Sequence, residues 1–134
     1  MNQAQIFQLS HFQPENFSCQ CLNCSGFPDP RVMTIADRIR TLLGQPLTVT
    51  SGFRCPERNK EAKGAAKSKH LHGLAVDLAP VNLKNIRSLH KLCISTSQNL
   101  NIWIEDPTFT PTWCHVQIVP YSGWTEGMSR VFKP

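Results

Sequence analysis

The sequence predicts an α+β domain with a small antiparallel sheet flanked by helices. Three observations lead to this prediction. An amphipathic helical segment follows Asp29, several short segments alternate with the period of a strand, and the last two of these segments lie close together in the chain. Strands that lie among helices, with a final pair near enough to fold back on itself, are typical of this class.

The first predicted helix covers residues 30–43. The pair Asp29-Pro30 marks its start, because proline is well suited to the first helical position. Apolar side chains then recur at helical spacing on one face: Val32, Ile35, Ala36, Ile39, Leu42 and Leu43. Gly44 ends the pattern. The apolar stripe predicts that this helix lies on a hydrophobic core.

Four segments have the alternation of half-buried strands. They are residues 47–50, 74–79, 101–105 and 113–119. A short polar helix is predicted over 56–63, and a second amphipathic helix, capped by Asn82, over 82–98. The turn-rich stretch between the last two strands would let them pair in antiparallel fashion.

Length and composition restrict the class of protein. The 134 residues are 40% hydrophobic and 17% charged, which suits one globular domain over 1–134 with an irregular segment at 1–28. No apolar run approaches the roughly 18–20 residues that span a bilayer. The net charge of +5 is compatible with an anionic partner such as a cell-wall polymer, but without a run of Lys or Arg it does not indicate nucleic-acid binding. We expect a monomer that binds neither nucleic acid nor membrane.

Three residues have the character of metal ligands. His70 and Asp77 flank the turn that enters the second strand, and His115 lies on the last strand, sharing a face with Trp113 and Gln117. Histidine nitrogens and carboxylate oxygens bind zinc, and three such ligands with one open position make a catalytic site. Taken alone, the same residues equally fit surface positions or a hydrogen-bonded core histidine.

Longer motifs surround these residues. One is an S-x-H-x-x-G-x-A-x-D pattern formed by Ser68, His70, Gly73, Ala75 and Asp77. It is preceded by VTSGFRCPERN and followed by WCHVQ. Over about 29–119, the chain resembles zinc D-Ala-D-Ala carboxypeptidases and related phage and bacterial peptidoglycan endopeptidases. The resemblance implies the fold shared with lysostaphin-type peptidases and the hedgehog signalling domain.

The resemblance also implies roles for individual residues. By position, the Zn²⁺ ligands would be His70, Asp77 and His115. Arg54 would hold a substrate carboxylate or carbonyl oxygen and assist catalysis, for which a guanidinium fork is well suited. Ser68 would support the site and contact substrate rather than act as a nucleophile, since no base partner for it is evident. Trp113 would contact substrate.

The general base is where the chain departs from the family pattern. Many relatives carry a carboxylate three residues before the last zinc histidine, and this chain has Thr112 there. Glu105 is the best acidic candidate, because it alternates with Ile102 and Ile104, which should face the core. A surface carboxylate is the alternative interpretation of Glu105. His72 is a second candidate, either as a proton shuttle or merely as an exposed loop residue.

The six cysteines are unevenly placed. Cys19, Cys21 and Cys24 form a C-x-C-x-x-C cluster, whereas Cys55, Cys93 and Cys114 are scattered. Three thiols within six residues could supply most of a structural metal site, with a fourth ligand from elsewhere. Reduced thiols or disulfides are the alternatives.

Together these features predict a zinc metallopeptidase that hydrolyses a peptide bond in peptidoglycan stem peptides. Either D,D-carboxypeptidase or endopeptidase activity, as in a phage-type endolysin that degrades cell wall, would fit. The alternative is a non-hydrolytic zinc-binding recognition module of the same fold, which the absence of an acid at Thr112 favours. The N-terminal segment lacks the basic and apolar regions of a secretory signal. We therefore expect a cytoplasmic protein, or delivery to the cell wall by a non-classical or phage-mediated route.

Overall fold

A mixed sheet organises the fold. The computed structural model describes residues 9–21, 26–65 and 67–134. Within these residues the strands are β1 (Leu47–Ser51), β2 (Ala75–Pro80), β3 (Trp103–Glu105), β4 (Cys114–Gln117) and β5 (Val131–Phe132). They form one five-stranded sheet in the order β1-β2-β4-β3-β5. The first four pair in antiparallel fashion, as predicted, whereas β5 departs from the prediction by pairing parallel to β3. Together with the helices, this sheet confirms the predicted α+β class.

Four α-helices and several short 3₁₀ helices accompany the strands in the described part of the chain. The α-helices are α1 (Pro30–Leu43), α2 (Pro56–Glu61), α3 (Ile86–Ser95) and α4 (Ser97–Leu100). The 3₁₀ helices are Pro14–Phe17, Lys69–His72, Leu83–Asn85 and Pro107–Phe109. In the described part of the chain, no helix has the length and apolar character needed to cross a membrane.

Helix α1 lies where the sequence predicts it. Its N-terminus is capped by the Asp29 carboxylate, which accepts a hydrogen bond from the backbone N–H of Arg31 at 2.9 Å. The predicted helix over 82–98 is wrong as a single element, because the chain breaks at Thr96. There the Thr96 hydroxyl donates to the carbonyl of Leu92 at 2.7 Å, and the Ser97 hydroxyl donates to a second helical carbonyl. Such side-chain bonds compete with the helical backbone ladder.

The hydrophobic core lies between one face of the sheet and the helices α1 and α3. From the sheet it receives Val76, Leu78, Ile104, Cys114 and Val116, and from the helices Val32, Met33, Ala36, Ile39, Leu89 and Cys93. Fully burying a side chain of the Val, Leu, Ile or Met type contributes about 1.5–3 kcal/mol. This face of the sheet is therefore fixed by the core, and the alternate residues of the same strands face the other way.

The N-terminal segment is more than an irregular extension. Its 3₁₀ helix places Phe17 fully inside the core, where the ring packs edge-on against Phe12 at 5.5 Å between centroids. The backbone carbonyl of Phe17 also accepts a hydrogen bond from the backbone N–H of Phe53 at 3.0 Å. The segment is thus attached to the loop that follows β1.

Candidate active site

The candidate site is a row of residues at one level across the sheet. The strand register sets Ser51 of β1 opposite Asp77 of β2, and Asp77 opposite His115 of β4. In β3, Ile104 pairs with a β4 residue one position beyond His115, so continuing the register sets Glu105 opposite His115. Asp77, His115 and Glu105 all line one cavity on the face away from the core.

His70 joins this row from outside the sheet. It lies in the 3₁₀ helix Lys69–His72, which the Ser68 hydroxyl caps by accepting from the His70 backbone N–H at 3.2 Å. Gly73 follows in the left-handed conformation, with φ of 68°, and turns the chain into β2. The turn brings the imidazole of His70 above the carboxylate of Asp77.

The three predicted ligands converge on one point. Nε2 of His70 lies 3.1 Å from Oδ1 of Asp77, and Nδ1 of His115 lies 2.9 Å from the same oxygen. The three donor atoms all lie within 4.8 Å of one another, so the group could hold a metal ion. His70 is buried and His115 is mostly so, and all three ligands belong to the described lining of one cavity.

The outer nitrogens of both rings also face oxygen acceptors. Nδ1 of His70 lies 2.7 Å from the Gly52 carbonyl, and Nε2 of His115 lies 2.9 Å from the side-chain oxygen of Gln117. A neutral imidazole has a single N–H, so it cannot donate to acceptors on both sides. With the proton on each outer nitrogen, the inner lone pairs are directed toward Asp77, and a cation held between them would satisfy all three groups. The residues present therefore fit a divalent metal with an outer shell of hydrogen bonds.

Gln117 orients the ring of His115. The sequence predicted only that the two residues share a strand face, and not this role. Its amide N–H donates to the Val119 carbonyl at 3.0 Å, and this bond turns the amide oxygen toward His115.

We expect Gln117→Leu to weaken metal affinity by roughly 10–100-fold, the usual effect of losing such an outer partner. Competition with a chelator of known affinity measures the change, with exposed Gln45→Leu as the matched control. Equal affinities in Gln117→Leu and wild type would contradict the role.

The ionisation of the site favours cation binding. Burial by itself would raise the pKa of Asp77, but hydrogen bonds with His115 and His70 and their charges lower that pKa well below its ordinary value. Burial likewise acts to lower the pKa of His115, but the bond and charge of Asp77 outweigh it and raise the pKa. Asp77 is therefore a carboxylate that attracts positive charge, whether from protonated histidine or from a metal.

Arg54 reaches the same carboxylate from the loop after β1. Its guanidinium donates to the Ser51 hydroxyl at 2.9 Å and to the Asn59 side chain at 3.2 Å, and it lies 3.5 Å from Oδ2 of Asp77. Burial lowers the pKa of Arg54 while Asp77 opposes the shift, and a guanidinium stays charged throughout the physiological range. Arg54 is thus a fixed cation on the wall of the cavity.

Glu105 lines the same cavity as the three ligands. It is half-buried, and its strand position is the one that alternation with Ile104 predicts. Burial raises the pKa of Glu105, although the neighbouring His115 opposes the shift. A carboxylate with a raised pKa is better matched to accepting and returning a proton near neutral pH.

The remaining predicted site residues separate into two groups. Ser68 and Trp113 line the cavity, which has a volume of about 530 Å³. His72 is exposed and lies outside the described lining of the cavity. The structure therefore brings Glu105, and not His72, to the ligands.

Residues after β4 supply a wall that the sequence did not indicate. The ring of Phe132 in β5 packs edge-on against His115 at 5.9 Å between centroids, and Tyr121 packs against Phe132 at 5.4 Å. Strand β5 has only two residues, too few for a period of two to be recognised. Both aromatic rings line the cavity beside the candidate metal position.

Residues 10–103 of the chain match the family model described as Peptidase M15. The chain belongs to the peptidase M15 family. This confirms the resemblance seen in the sequence motifs, and it makes the chain a member of a family of metal-dependent peptidases. None of the curated proteins searched matches the chain.

The region matched to peptidase M15 covers only part of the site. It includes Arg54, His70 and Asp77 but ends before Glu105 and His115. His115 is included because of the sheet register and its 2.9 Å distance to Asp77, and Glu105 because of the register and its place in the cavity lining. The family match thus supports the part of the site before residue 103, and the geometry supports Glu105 and His115 beyond it.

Proposed function

We propose that the chain is a zinc-dependent peptidase that hydrolyses a peptide bond in peptidoglycan stem peptides. The observation that carries the proposal is the convergence of His70, Asp77 and His115 beside Glu105 and Arg54 in one open cavity of an M15 family member. Two histidines and a carboxylate with one side open are the ligand set of a catalytic zinc site. When bound there, zinc would supply Lewis-acid activation of water and of the scissile carbonyl.

The residues of the chain would perform the remaining steps. Glu105 would accept a proton from the attacking water and return it to the leaving amine. Arg54 would bind a carboxylate or the carbonyl oxygen of the substrate, with its guanidinium held in place by Ser51 and Asn59. The aromatic rings of Trp113 and Phe132 would cover the peptide from the sides of the cavity.

The charges at the mouth of the cavity support a substrate with free carboxylates. Lys63, Lys67 and Lys69 line it together with Arg54, whereas the acidic residues of the described lining are Asp77 and Glu105. Such a rim attracts anionic groups. Peptidoglycan stem peptides carry several free carboxylates and therefore fit this rim better than a neutral or basic peptide does.

The test is hydrolysis of purified peptidoglycan by the metal-loaded protein, with and without a chelator. We expect activity that the chelator abolishes and added zinc restores. Release of free D-alanine would identify a carboxypeptidase, and new amino groups without free D-alanine an endopeptidase. A protein that holds its metal yet releases neither product would refute the proposal, and the recognition-module alternative would replace it.

Arg54→Lys tests the substrate role of the guanidinium. The change keeps the positive charge but loses the planar fork, so we expect kcat/KM to fall by roughly 10²-fold or more, with bound metal unchanged. Arg58→Lys is the matched control, because Arg58 is a nearby arginine outside the described cavity lining, ion-paired with Glu61 at 3.6 Å. Near-normal kcat/KM in Arg54→Lys would mean that Arg54 only braces Asp77.

A further inference from the structure

A second group of metal-ligating side chains lies apart from the candidate active site. Cys19 and Cys21 follow the first 3₁₀ helix, and Cys55 directly follows Arg54 at the start of α2. The sulfur atoms of these three residues all lie within 4.8 Å of one another. The sequence suggested a cluster with Cys24, which falls outside the described residues, and it gave no sign that Cys55 would join.

Backbone N–H groups are directed at two of the three sulfur atoms. The backbone N–H of Cys55 donates to the sulfur of Cys19 at 3.4 Å, and the backbone N–H of Arg58 donates to the sulfur of Cys55 at 3.5 Å. Hydrogen bonds from N–H groups stabilise negative charge on the acceptor. Cys19 is buried, while Cys21 and Cys55 are only partly exposed, so the cluster is largely shielded from solvent.

The spacing of the sulfurs agrees with zinc ligation. Zn–S bonds of about 2.3 Å in tetrahedral geometry set ligand sulfurs about 3.8 Å apart. Sulfurs within 4.8 Å reach that separation by small side-chain rotations. Thiolate-rich ligand sets that are largely closed to solvent are characteristic of structural rather than catalytic zinc.

We propose that Cys19, Cys21 and Cys55 bind a structural zinc ion, distinct from the metal of the active site. The ion would fasten the N-terminal segment to the loop that carries Arg54. Other contacts already join these two parts: the Gln20 side chain donates to the Thr50 carbonyl at 2.9 Å and accepts from Arg58 at 2.8 Å. The proposal stands whether or not the chain hydrolyses peptidoglycan, since its evidence lies outside the cavity.

The test is the zinc content of protein purified under reducing conditions, comparing Cys55→Ser with wild type. We expect the variant to contain one equivalent less zinc. Cys93→Ala is the matched control, because Cys93 is a buried cysteine in the core, hydrogen-bonded to Cys114, and should leave the zinc content unchanged. Equal zinc content in Cys55→Ser and wild type would overturn the proposal, and so would a disulfide within the cluster that persists under the reducing conditions.

Cobalt substitution of the unaltered protein gives a second measurement that does not depend on a variant's folding. Thiolate ligands produce an intense near-ultraviolet charge-transfer band, which histidine and carboxylate ligands do not. We expect a band with the intensity of three or four thiolates, and its absence would overturn the proposal. Because His70→Ala should not alter this band, failure here is distinguishable from failure of the active-site metal.

Discussion

Glu105→Gln is expected to lower turnover on peptidoglycan by about 10²–10⁴-fold, the range typical for loss of a general base. Glutamine preserves the size and hydrogen-bonding capacity of the side chain but cannot take up a proton. Glu105 is half-buried beside the ligand group, and the position three residues before His115 is Thr112, which has no basic group. Metal content and thermal stability should therefore remain close to those of wild type.

The matched variant for this experiment is His72→Ala. His72 is exposed outside the described cavity lining, so its removal should leave turnover and metal content essentially unchanged. Retained activity in Glu105→Gln, together with its loss in His72→Ala while metal stays bound, would transfer the role of base to His72.

Removal of either ligand histidine should abolish metal binding at the active site. We expect His70→Ala and His115→Ala each to contain one equivalent less metal than wild type and to lose detectable hydrolysis. Each variant should also unfold at a lower temperature, because an ion that binds only the native state stabilises it, by about 2.7 kcal/mol at a concentration 100 times its dissociation constant. Elemental analysis and thermal unfolding measure both effects.

His90→Ala controls for the loss of a histidine as such. His90 is buried like His70, but its ring faces the Trp113 carbonyl at 2.6 Å and belongs to neither described group of candidate ligands. Its variant should keep the full metal content. Full metal content in both His70→Ala and His115→Ala would remove the ligand assignment, even if their stability fell.

Local patterns predicted the parts of the molecule that a repeating period determines. Alternation along 113–119 placed His115 on the strand face that it shares with Trp113 and Gln117, because successive side chains of a strand point to opposite sides. The same rule placed Glu105 correctly relative to Ile104. The apolar stripe that follows Pro30 likewise predicted helix α1 with the same first and last residues as observed.

Features that depend on distant parts of the chain were not predictable. Cys55 meets Cys19 only because the loop after β1 packs on the N-terminal segment, and no local spacing encodes that contact. The orienting role of Gln117 required the position of the Val119 carbonyl. Strand β5 forms by pairing with the edge of β3. Its two residues are too few to give a strand pattern in the sequence.

The pairing of β2 with β4 has a consequence for how the ion would be captured. Val76 and Val116 are register partners on the core side, so apolar packing alone aligns the two strands and thereby sets Asp77 against His115. Two of the three ligands, Asp77 and His115, would thus be brought together during folding, before any ion arrives. The conformational entropy of ordering these ligand side chains would already be lost in the metal-free chain. Binding of the ion would then chiefly require its dehydration. The ion would therefore bind to a site that is already folded, unlike the metal-driven folding of zinc fingers.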